Sequence, residues 1–210
     1  MDLVRFVDIS ALPTNQTQGF QKAVLFCTAL SKEFIISVRN GEEVDYDEFG
    51  EKEHKTDALA DLLAEFLRQK GYGAYSQSEK SHLKNNNFDV ITQSSILPHK
   101  TIARIAGIGY IGRNNLLITK EYGCAFSMCT VLTNAPLITK NHPLVLSKCG
   151  ECDICKRICS TNAIFGNDWA ENTGREGICD VIKCTCEYEY KCMVNCPQTL
   201  KYAIKTDVTV

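Results

Sequence analysis

The chain has 210 residues, of which 44% are hydrophobic and 23% are charged, and its net charge at neutral pH is −2. A nearly neutral chain has no bulk attraction for nucleic acid or for an anionic membrane surface, so neither is expected as a partner. The N-terminal segment is interrupted by charges, and no apolar run reaches the roughly 18 residues of a membrane span. We therefore expect a cytoplasmic protein.

The first part of the chain predicts alternating strands and helices. Residues 22–30 form an apolar run with the length of a buried strand. The acidic run at 41–53 is typical of a solvated loop. Residues 55–70 predict an amphipathic helix that ends at Gly71. The face that it is expected to bury comprises Leu59, Leu62, Leu63, Phe66 and Leu67.

More elements are predicted further along the chain. YGAYSQ, residues 72–77, predicts a strand. LPHKTIARIAG, residues 97–107, predicts a helix that is opened by Pro98. NLLIT (115–119) and FSMCTVLT (126–133) predict two more strands, with the turn residues KEYG between them.

Cysteine is concentrated in the second part of the chain. Nine of the twelve cysteines lie between Cys149 and Cys196, and regular periodicity is lost near residue 145. The sequence therefore predicts an α/β (α+β) domain over 1–145 and a small lobe over 146–210. The cytosol keeps thiols reduced, so metal ligation is favoured over disulfides, and the lobe is expected to be organised around metal.

CGECDICKRIC, residues 149–159, has the C-x2-C-x2-C-x3-C spacing of the bacterial ferredoxin run. In that run the first three cysteines hold one 4Fe–4S cube, and the fourth reaches a second cube. Five further cysteines follow, the last of them before Pro197. One cube is assigned Cys149, Cys152, Cys155 and Cys196; the other is assigned Cys159, Cys184, Cys186 and Cys192. Cys179 is left as a spare.

A zinc ribbon and ordinary buried thiols are the alternatives for these cysteines. Zinc usually takes C-x2-C pairs that are separated by a longer spacer, and four cysteines within eleven residues misplace the ligands for one zinc ion. Two iron–sulfur clusters are therefore favoured. Cys27, Cys124 and Cys129 lie in strand-like apolar segments and are expected to be small buried hydrophobic residues.

GIGYIG, residues 107–112, matches the G-x-G-x-x-G spacing of a dinucleotide-binding turn. Such a site needs a strand before the motif, a helix after it and an acidic residue about 20 positions later. Here a helix is predicted before the motif and a strand after it, and residues 130–135 hold no acid. A Rossmann site is not favoured, and the glycines are expected to let backbone segments approach closely.

Two stretches together resemble the epoxyqueuosine reductase family, in particular its short relatives with two 4Fe–4S clusters. They are LPHKTIARIAGIGYIGRNNLLITKEYGCAFSMCTVLTNAPL and CGECDICKRICSTNAIFGNDW. Family members carry an A-G-L-G-W-x-G-K segment ahead of an eight-cysteine ferredoxin lobe. This chain has AGIGYIGRN, with Tyr110 in the tryptophan place and Arg113 in the lysine place. The resemblance runs from about Lys22 to Cys196.

The resemblance implies a fold and a set of cofactors. The fold is an α/β domain like the cobalamin-binding reductase core, followed by a ferredoxin-like lobe that holds two 4Fe–4S clusters. The implied partners are an electron donor such as a ferredoxin or flavodoxin and a small-molecule substrate of unknown identity. Cobalamin is implied as a further cofactor. The residues implied to contact a cofactor are Gly107, Gly109, Tyr110, Gly112 and Arg113.

The chain also departs from this family. It is much shorter than the full-length enzymes, which reduce an epoxide on a modified tRNA base. Gln93 aligns with their catalytic aspartate, and an amide cannot deliver a proton as a carboxylic acid does. Glu189 stands where the family's last cysteine motif begins, and Cys186 is the nearest substitute.

Two functions remain open from the sequence. The protein is either a reductase, which passes electrons to a pocket near residues 93–113, or an electron carrier with no catalysis of its own. The missing aspartate favours the carrier, whereas the retained glycine segment favours a surviving pocket.

Overall fold

The structure is a computed structural model that describes residues 1–44, 48–184 and 190–205. The strands are β1 (Leu3–Asp8), β2 (Lys22–Ala29), β3 (Ala74–Ser76), β4 (Phe88–Asp89), β5 (Ser94–Ser95), β6 (Gly109–Ile111), β7 (Leu117–Thr119) and β8 (Phe126–Thr133). The helices are α1 (Thr14–Thr17), α2 (Lys32–Asn40), α3 (Glu48–Gln69), α4 (Glu79–Lys84), α5 (His99–Ile105), α6 (Ile154–Arg157), α7 (Lys191–Val194) and α8 (Pro197–Ala203). Over these ranges no helix is long and apolar enough to cross a membrane.

The chain divides into two compact units that interleave in sequence. The first unit comprises Met1–Ala29, Phe49–Ile108 and Ser127–Val145. The second comprises Leu30–Glu48, Gly109–Phe126 and Leu146–Val210. The cysteine-rich segment therefore shares its unit with two segments that precede residue 145. The division into domains 1–145 and 146–210 stays a prediction.

A four-stranded sheet with the order β1-β2-β8-β3 forms the centre of the first unit. β1 pairs antiparallel with β2, and β3 pairs antiparallel with β8. β2 is buried from Ala23 to Thr28 without alternation, as expected for a strand whose two faces are both covered. The strands predicted at 22–30 and 126–133 are confirmed, and α5 begins after Pro98 as predicted.

α3 packs against the sheet through small residues. Ala60, Ala64 and Leu67 are buried against a cluster that includes Val24 of β2 and Val131 of β8. The predicted buried face of this helix is correct for Leu67, which is buried, and for Leu63, which packs against the cluster. It is wrong for Leu62, which is 68% exposed, and for Phe66, which is 51% exposed. Alanines let the helix axis come close to the strands.

The start of α3 corrects the loop that was predicted for the acidic run at 41–53, since residues 48–53 are helical. Residues 45–47 of this run lie outside the described residues. Glu48 is buried, and its carboxylate accepts hydrogen bonds from Ser31 N and Ser31 Oγ, both at 2.6 Å. Ser31 in turn caps α2, since its Oγ accepts from Phe34 N at 3.0 Å. α2 was not predicted from the sequence.

The second unit combines α2, the hairpin of β6 and β7, and the three short helices α6, α7 and α8. β6 lies inside the glycine motif and pairs antiparallel with β7, with Gly109 opposite Thr119 and Tyr110 opposite Ile118. The motif is preceded by α5 and followed by β7, as the sequence predicted, which is not the order of a dinucleotide-binding turn.

Candidate functional site

A cavity of about 280 Å³, counting the part that is open to solvent, lies among four cysteines of the second unit. Three of them, Cys149, Cys152 and Cys155, come from one short loop, and Cys196 comes from the start of α8. The rest of the lining is Arg113, Asn114, Ile118, Ile154 and Pro197. The structure thus brings together the four cysteines that the sequence grouped for one cube.

The loop around this cavity is built from a tight turn and a short helix. Cys152 N donates to Cys149 O at 2.9 Å, and Gly150 between them has a φ of 54°, a left-handed conformation that favours glycine. α6 follows directly and carries Cys155. Burial raises the pKa of the Cys155 thiol to about 11. The local fold therefore turns three thiols of one short segment toward a common space.

Arg113 holds this loop in place by a hydrogen bond to its backbone. Its Nη1 donates to Cys152 O at 3.2 Å, while Nε and Nη2 donate to Asp168 Oδ1 at 3.0 Å and Oδ2 at 2.9 Å. The hydrogen bonds from Arg113 hold the pKa of the Asp168 carboxyl below its usual value. A bidentate guanidinium–carboxylate pair has a defined geometry, so the arginine is held in place when it meets the loop.

Cys196 lies in an environment that favours its thiolate. It precedes Pro197 as the N-terminal cap of α8. The neighbouring Cys124 thiol, followed by the backbone N–H groups of Thr199 and Gln198, lowers the pKa of the Cys196 thiol. The thiolate is the form that binds metal. Cys124 is buried, as predicted, but its contact with Cys196 was not expected from the sequence.

α8 and Cys196 are held at this place by a close backbone contact. A Cβ atom on Gly123 would lie 2.3 Å from Thr199 N, and Gly123 has a φ of 58°. Cys124 N donates to Thr199 Oγ1 at 3.1 Å. Only glycine at this position lets the first turn of α8 come so close to the segment before β8.

A second group of cysteines surrounds an apolar core in the same unit. The buried core comprises Ile111, Ala163, Ile164, Ile178 and Cys179. Cys159, Cys184 and Cys192 pack against it, and so does Cys155 of the first group. Burial raises the pKa of the Cys159 thiol, but hydrogen bonds from Thr161 and from nearby backbone N–H groups outweigh this and lower it overall.

The fourth cysteine predicted for the second cube, Cys186, lies outside the described residues. Cys179, the predicted spare, is only 4% exposed and forms a single backbone bridge with Ile164. The choice between Cys179 and Cys186 as a ligand stays a prediction. The remaining two cysteines, Cys27 and Cys129, are buried in the first unit, as expected for small hydrophobic residues.

The donors around the cavity are of the type that a four-iron cube takes. In a cube each thiolate binds its own iron corner, so the sulfur atoms stand around the cluster instead of converging on one ion. Four thiols border this one cavity. Over residues 1–44, 48–184 and 190–205, no group of three or more His, Cys, Asp or Glu side chains that could hold a metal ion is found.

The glycines of the 107–112 segment approach the chain's own atoms. A Cβ on Gly107 would lie 2.4 Å from His142 Cβ, and one on Gly109 would lie 2.2 Å from Ile118 O. A Cβ on Gly112 would lie 2.4 Å from Ile118 Cδ1. These contacts account for the glycines by packing. Cofactor binding by Gly107, Gly109, Tyr110, Gly112 and Arg113 stays a prediction.

Gln93 and His99 lie in different surroundings within the first unit. Gln93 is exposed in the turn between β4 and β5, with a φ of 49°. His99 is half-buried, and its Nδ1 lies 2.9 Å from Thr130 Oγ1. Thr130 Oγ1 donates its only hydrogen to Gln77 Oε1, so His99 Nδ1 is the donor in this contact. Burial, followed by nearby His82, lowers the pKa of His99 to about 3.

Three residues near the cavity were not singled out from the sequence. Asp168 pairs with Arg113 across a long stretch of chain, Asn114 Nδ2 donates to Cys192 O at 3.3 Å, and Thr199 supports Cys124. Each of these contacts joins segments that are remote in sequence, so no local sequence pattern predicts it.

Comparison with known proteins gives no matching family model. Over 81 residues, 39% of the chain, the sequence is 32% identical to epoxyqueuosine reductase from Lactococcus garvieae, and the match spans 22% of that protein. Over 127 residues, 60% of the chain, it is 29% identical to the Cyclobacterium marinum enzyme, of which the match spans 37%. The predicted resemblance to epoxyqueuosine reductase is confirmed.

Solved structures agree in fold. Epoxyqueuosine reductase from Bacillus subtilis matches with a TM-score of 0.57 and 17% identity, over 94% of this chain and 61% of that one. The catabolic reductive dehalogenase NpRdhA matches with a TM-score of 0.72 and 20% identity, over 96% of this chain and 31% of that one. The mixed α/β fold is therefore shared with both kinds of enzyme, of which this chain spans less than two thirds.

Proposed function

We propose that this protein is an iron–sulfur reductase that holds two 4Fe–4S clusters and is related to epoxyqueuosine reductase. The observation that carries the proposal is the cavity bordered by Cys149, Cys152, Cys155 and Cys196. Three thiols from one tight loop and a fourth from a distant Cys-Pro step are the donors that one corner-ligated cube requires. The sequence relationship supports the reductase class.

The second cluster is proposed for the other cysteine group. Cys159, Cys184 and Cys192 pack around one apolar core, which supports a common centre. Cys186 is the proposed fourth ligand. Cys155 touches the same core, so the two proposed clusters are close neighbours within the second unit. Neighbouring clusters of this kind suit transfer of single electrons from one to the other.

The clusters, when bound, supply one-electron transfer, and the polypeptide holds and tunes them. Ile118, Ile154 and Pro197 form apolar walls of the first cavity, which limits access of water to the sulfur atoms. Arg113 holds the cysteine loop by its bond to Cys152 O. Burial and hydrogen bonds to sulfur set cluster potentials, so these residues are expected to influence both redox position and retention of iron.

Electrons are proposed to come from a ferredoxin or flavodoxin and to pass to a small-molecule substrate at a pocket near residues 93–113. Cobalamin is the proposed carrier at that pocket. The structure of a reductive dehalogenase of similar fold suggests a mechanism for B12-dependent dehalogenation, and this supports a corrinoid here.

A second candidate function is an electron carrier without catalysis. It is favoured by Gln93, which stands at the position of the family's catalytic aspartate and is exposed in a turn. A neutral amide has no proton to give to a reduced substrate. In this case the chain would accept and release electrons without a bound corrinoid.

Titration of the anaerobically loaded protein with cobalamin separates the two functions. A reductase is expected to perturb the corrinoid absorption bands at stoichiometric concentrations and, once its clusters are reduced by flavodoxin, to reduce the corrinoid. A carrier is expected to be reduced by flavodoxin without any effect on the corrinoid spectrum. Gln93→Asp is the matched variant, since it restores an acid without changing the clusters. Clusters that flavodoxin cannot reduce would contradict both functions.

A further inference from the structure

Tyr110 of β6 carries a buried hydroxyl that has no hydrogen-bond acceptor among the described residues. The residue is only 6% exposed, and its hydroxyl donates to no described residue. Buried polar groups in folded proteins are nearly always hydrogen-bonded, because an unmade bond leaves the desolvation cost uncompensated. A buried hydroxyl that finds no acceptor among the described residues points to an acceptor in a bound group.

The register of the hairpin directs Tyr110 toward the first cysteine group. Tyr110 lies directly opposite Ile118 on β7, and residues that are opposite each other project from the same face of a strand pair. Ile118 lines the cavity of the four cysteines. The next residue, Ile111, projects from the other face and packs in the core of the second cysteine group.

A tyrosine hydroxyl has an ordinary pKa of about 10, so it carries its proton at neutral pH and can donate a hydrogen bond.

We propose that Tyr110 donates a hydrogen bond to a sulfur atom of the cluster held by Cys149, Cys152, Cys155 and Cys196, and thereby raises the reduction potential of that cluster. The inference rests on the proposed function, because it requires the cluster. Reduction adds negative charge to the cube, so a donor to its sulfur stabilises the reduced form more than the oxidised form. Tyr110 is thus a tuning residue, and it does not itself ligate iron.

Redox titration of the loaded wild-type and Tyr110→Phe proteins, followed by electron paramagnetic resonance, tests the proposal. We expect one of the two midpoint potentials to become more negative in the variant by about 59 mV. For one electron this shift corresponds to a tenfold fall in the equilibrium constant for reduction. The other potential stays constant. Tyr202→Phe is the matched control, because Tyr202 donates to Leu30 O at 2.8 Å instead of facing the cavity, and it should shift neither potential.

Two clusters with unchanged potentials in Tyr110→Phe would overturn the inference and leave the proposed function intact, whereas a wild-type protein without iron would overturn the proposed function itself. Tyr110→Leu, which also lacks the hydroxyl, serves if the phenylalanine variant does not retain iron. If neither variant retains iron, pulsed electron paramagnetic resonance of the reduced wild-type protein in D2O tests for the hydrogen bond directly. An exchangeable deuteron coupled to the first cluster supports the hydrogen bond, and its absence overturns it.

Discussion

Arg113 and Asp168 form a bidentate ion pair, in which Nε donates to Oδ1 at 3.0 Å and Nη2 donates to Oδ2 at 2.9 Å. The third donor of the same guanidinium, Nη1, bonds the Cys152 carbonyl at 3.2 Å. One arginine therefore connects the segment after β6, the loop of the first three cluster cysteines and the segment that follows Cys159. This relationship gives a long-range support to a loop that has little regular structure of its own.

Arg113→Lys keeps the charge but loses the fork that meets both Asp168 oxygens. Because Asp168 is half exposed, the free energy of unfolding should fall by only about 0.5–1 kcal/mol. The larger effect is expected on the loop, as faster release of iron to a chelator. Arg157→Lys is the control, since its pair with Asp153 is exposed on α6. Equal iron-release rates in the two variants would contradict the supporting role of Arg113.

The pairing of cysteines across the two clusters predicts which cluster each substitution damages. Cys196→Ser should remove the spectrum of the cluster of Cys149, Cys152 and Cys155 and spare the other. Cys159→Ser should do the reverse, because its proposed partners are Cys184 and Cys192. Iron content with electron paramagnetic resonance of the reduced proteins is the measurement.

Cys27→Ser is the matched control for these variants, because Cys27 is buried in β2 of the first unit and should not affect either cluster. Loss of the same cluster in both Cys196→Ser and Cys159→Ser would show that the pairing is wrong. Cys179→Ser should keep both clusters, and loss of one would identify Cys179 as a ligand.

Gly123→Ala should destabilise the second unit strongly. An alanine Cβ would lie 2.3 Å from Thr199 N, in addition to the strain of a φ of 58°. Strain alone costs on the order of 1 kcal/mol, and the backbone clash should raise the total to about 3 kcal/mol or more. Gly19→Ala is the control, with a φ of 83° and open space around the new methyl group. Urea unfolding that gave the same loss for both variants would contradict the close approach of α8.

β2 and β8 could be predicted from the sequence, because both are rich in apolar and β-branched residues, whereas β1, β4, β5 and β6 were not predicted. The buried face of α3 could be predicted only in part. A pattern of large apolar residues suggested Leu62 and Phe66, whereas the helix approaches the sheet through Ala60 and Ala64. Which face of a helix is inside depends on the shape of the surface opposite, and this is a tertiary property.

The candidate site, too, could be predicted in part. Ligand spacing is local chemistry, so the 149–159 motif predicted the grouping of three cysteines with a distant fourth, and all four border one cavity. Contacts such as Arg113 with Asp168, or Cys124 with Cys196, join segments that only the fold brings together. Their residue types are ordinary, and no spacing rule links them.

His99→Gln should flatten the pH dependence of stability. Burial holds the pKa of folded His99 near 3, against an ordinary value of 6.5, so the unfolded chain binds more protons between these values. Stability is therefore lost as the pH falls below 6.5, by at most about 1.4 kcal/mol per pH unit for this group. Glutamine can still donate to Thr130 Oγ1 but does not ionise.

The measurement is urea unfolding of both proteins at a series of pH values from 7 to 5, with exposed His54→Gln as the control. The wild-type and His54→Gln proteins should lose stability in parallel over this range, and His99→Gln should lose less. Parallel curves for all three proteins would contradict the buried neutral state of His99.

The most direct test of the central claim is the iron and acid-labile sulfide content of the protein after anaerobic purification and full reconstitution. Two 4Fe–4S clusters predict about eight iron atoms and eight sulfides for each chain. Four or fewer irons would contradict the second cluster, and a stoichiometric zinc content in place of iron would contradict the account of both.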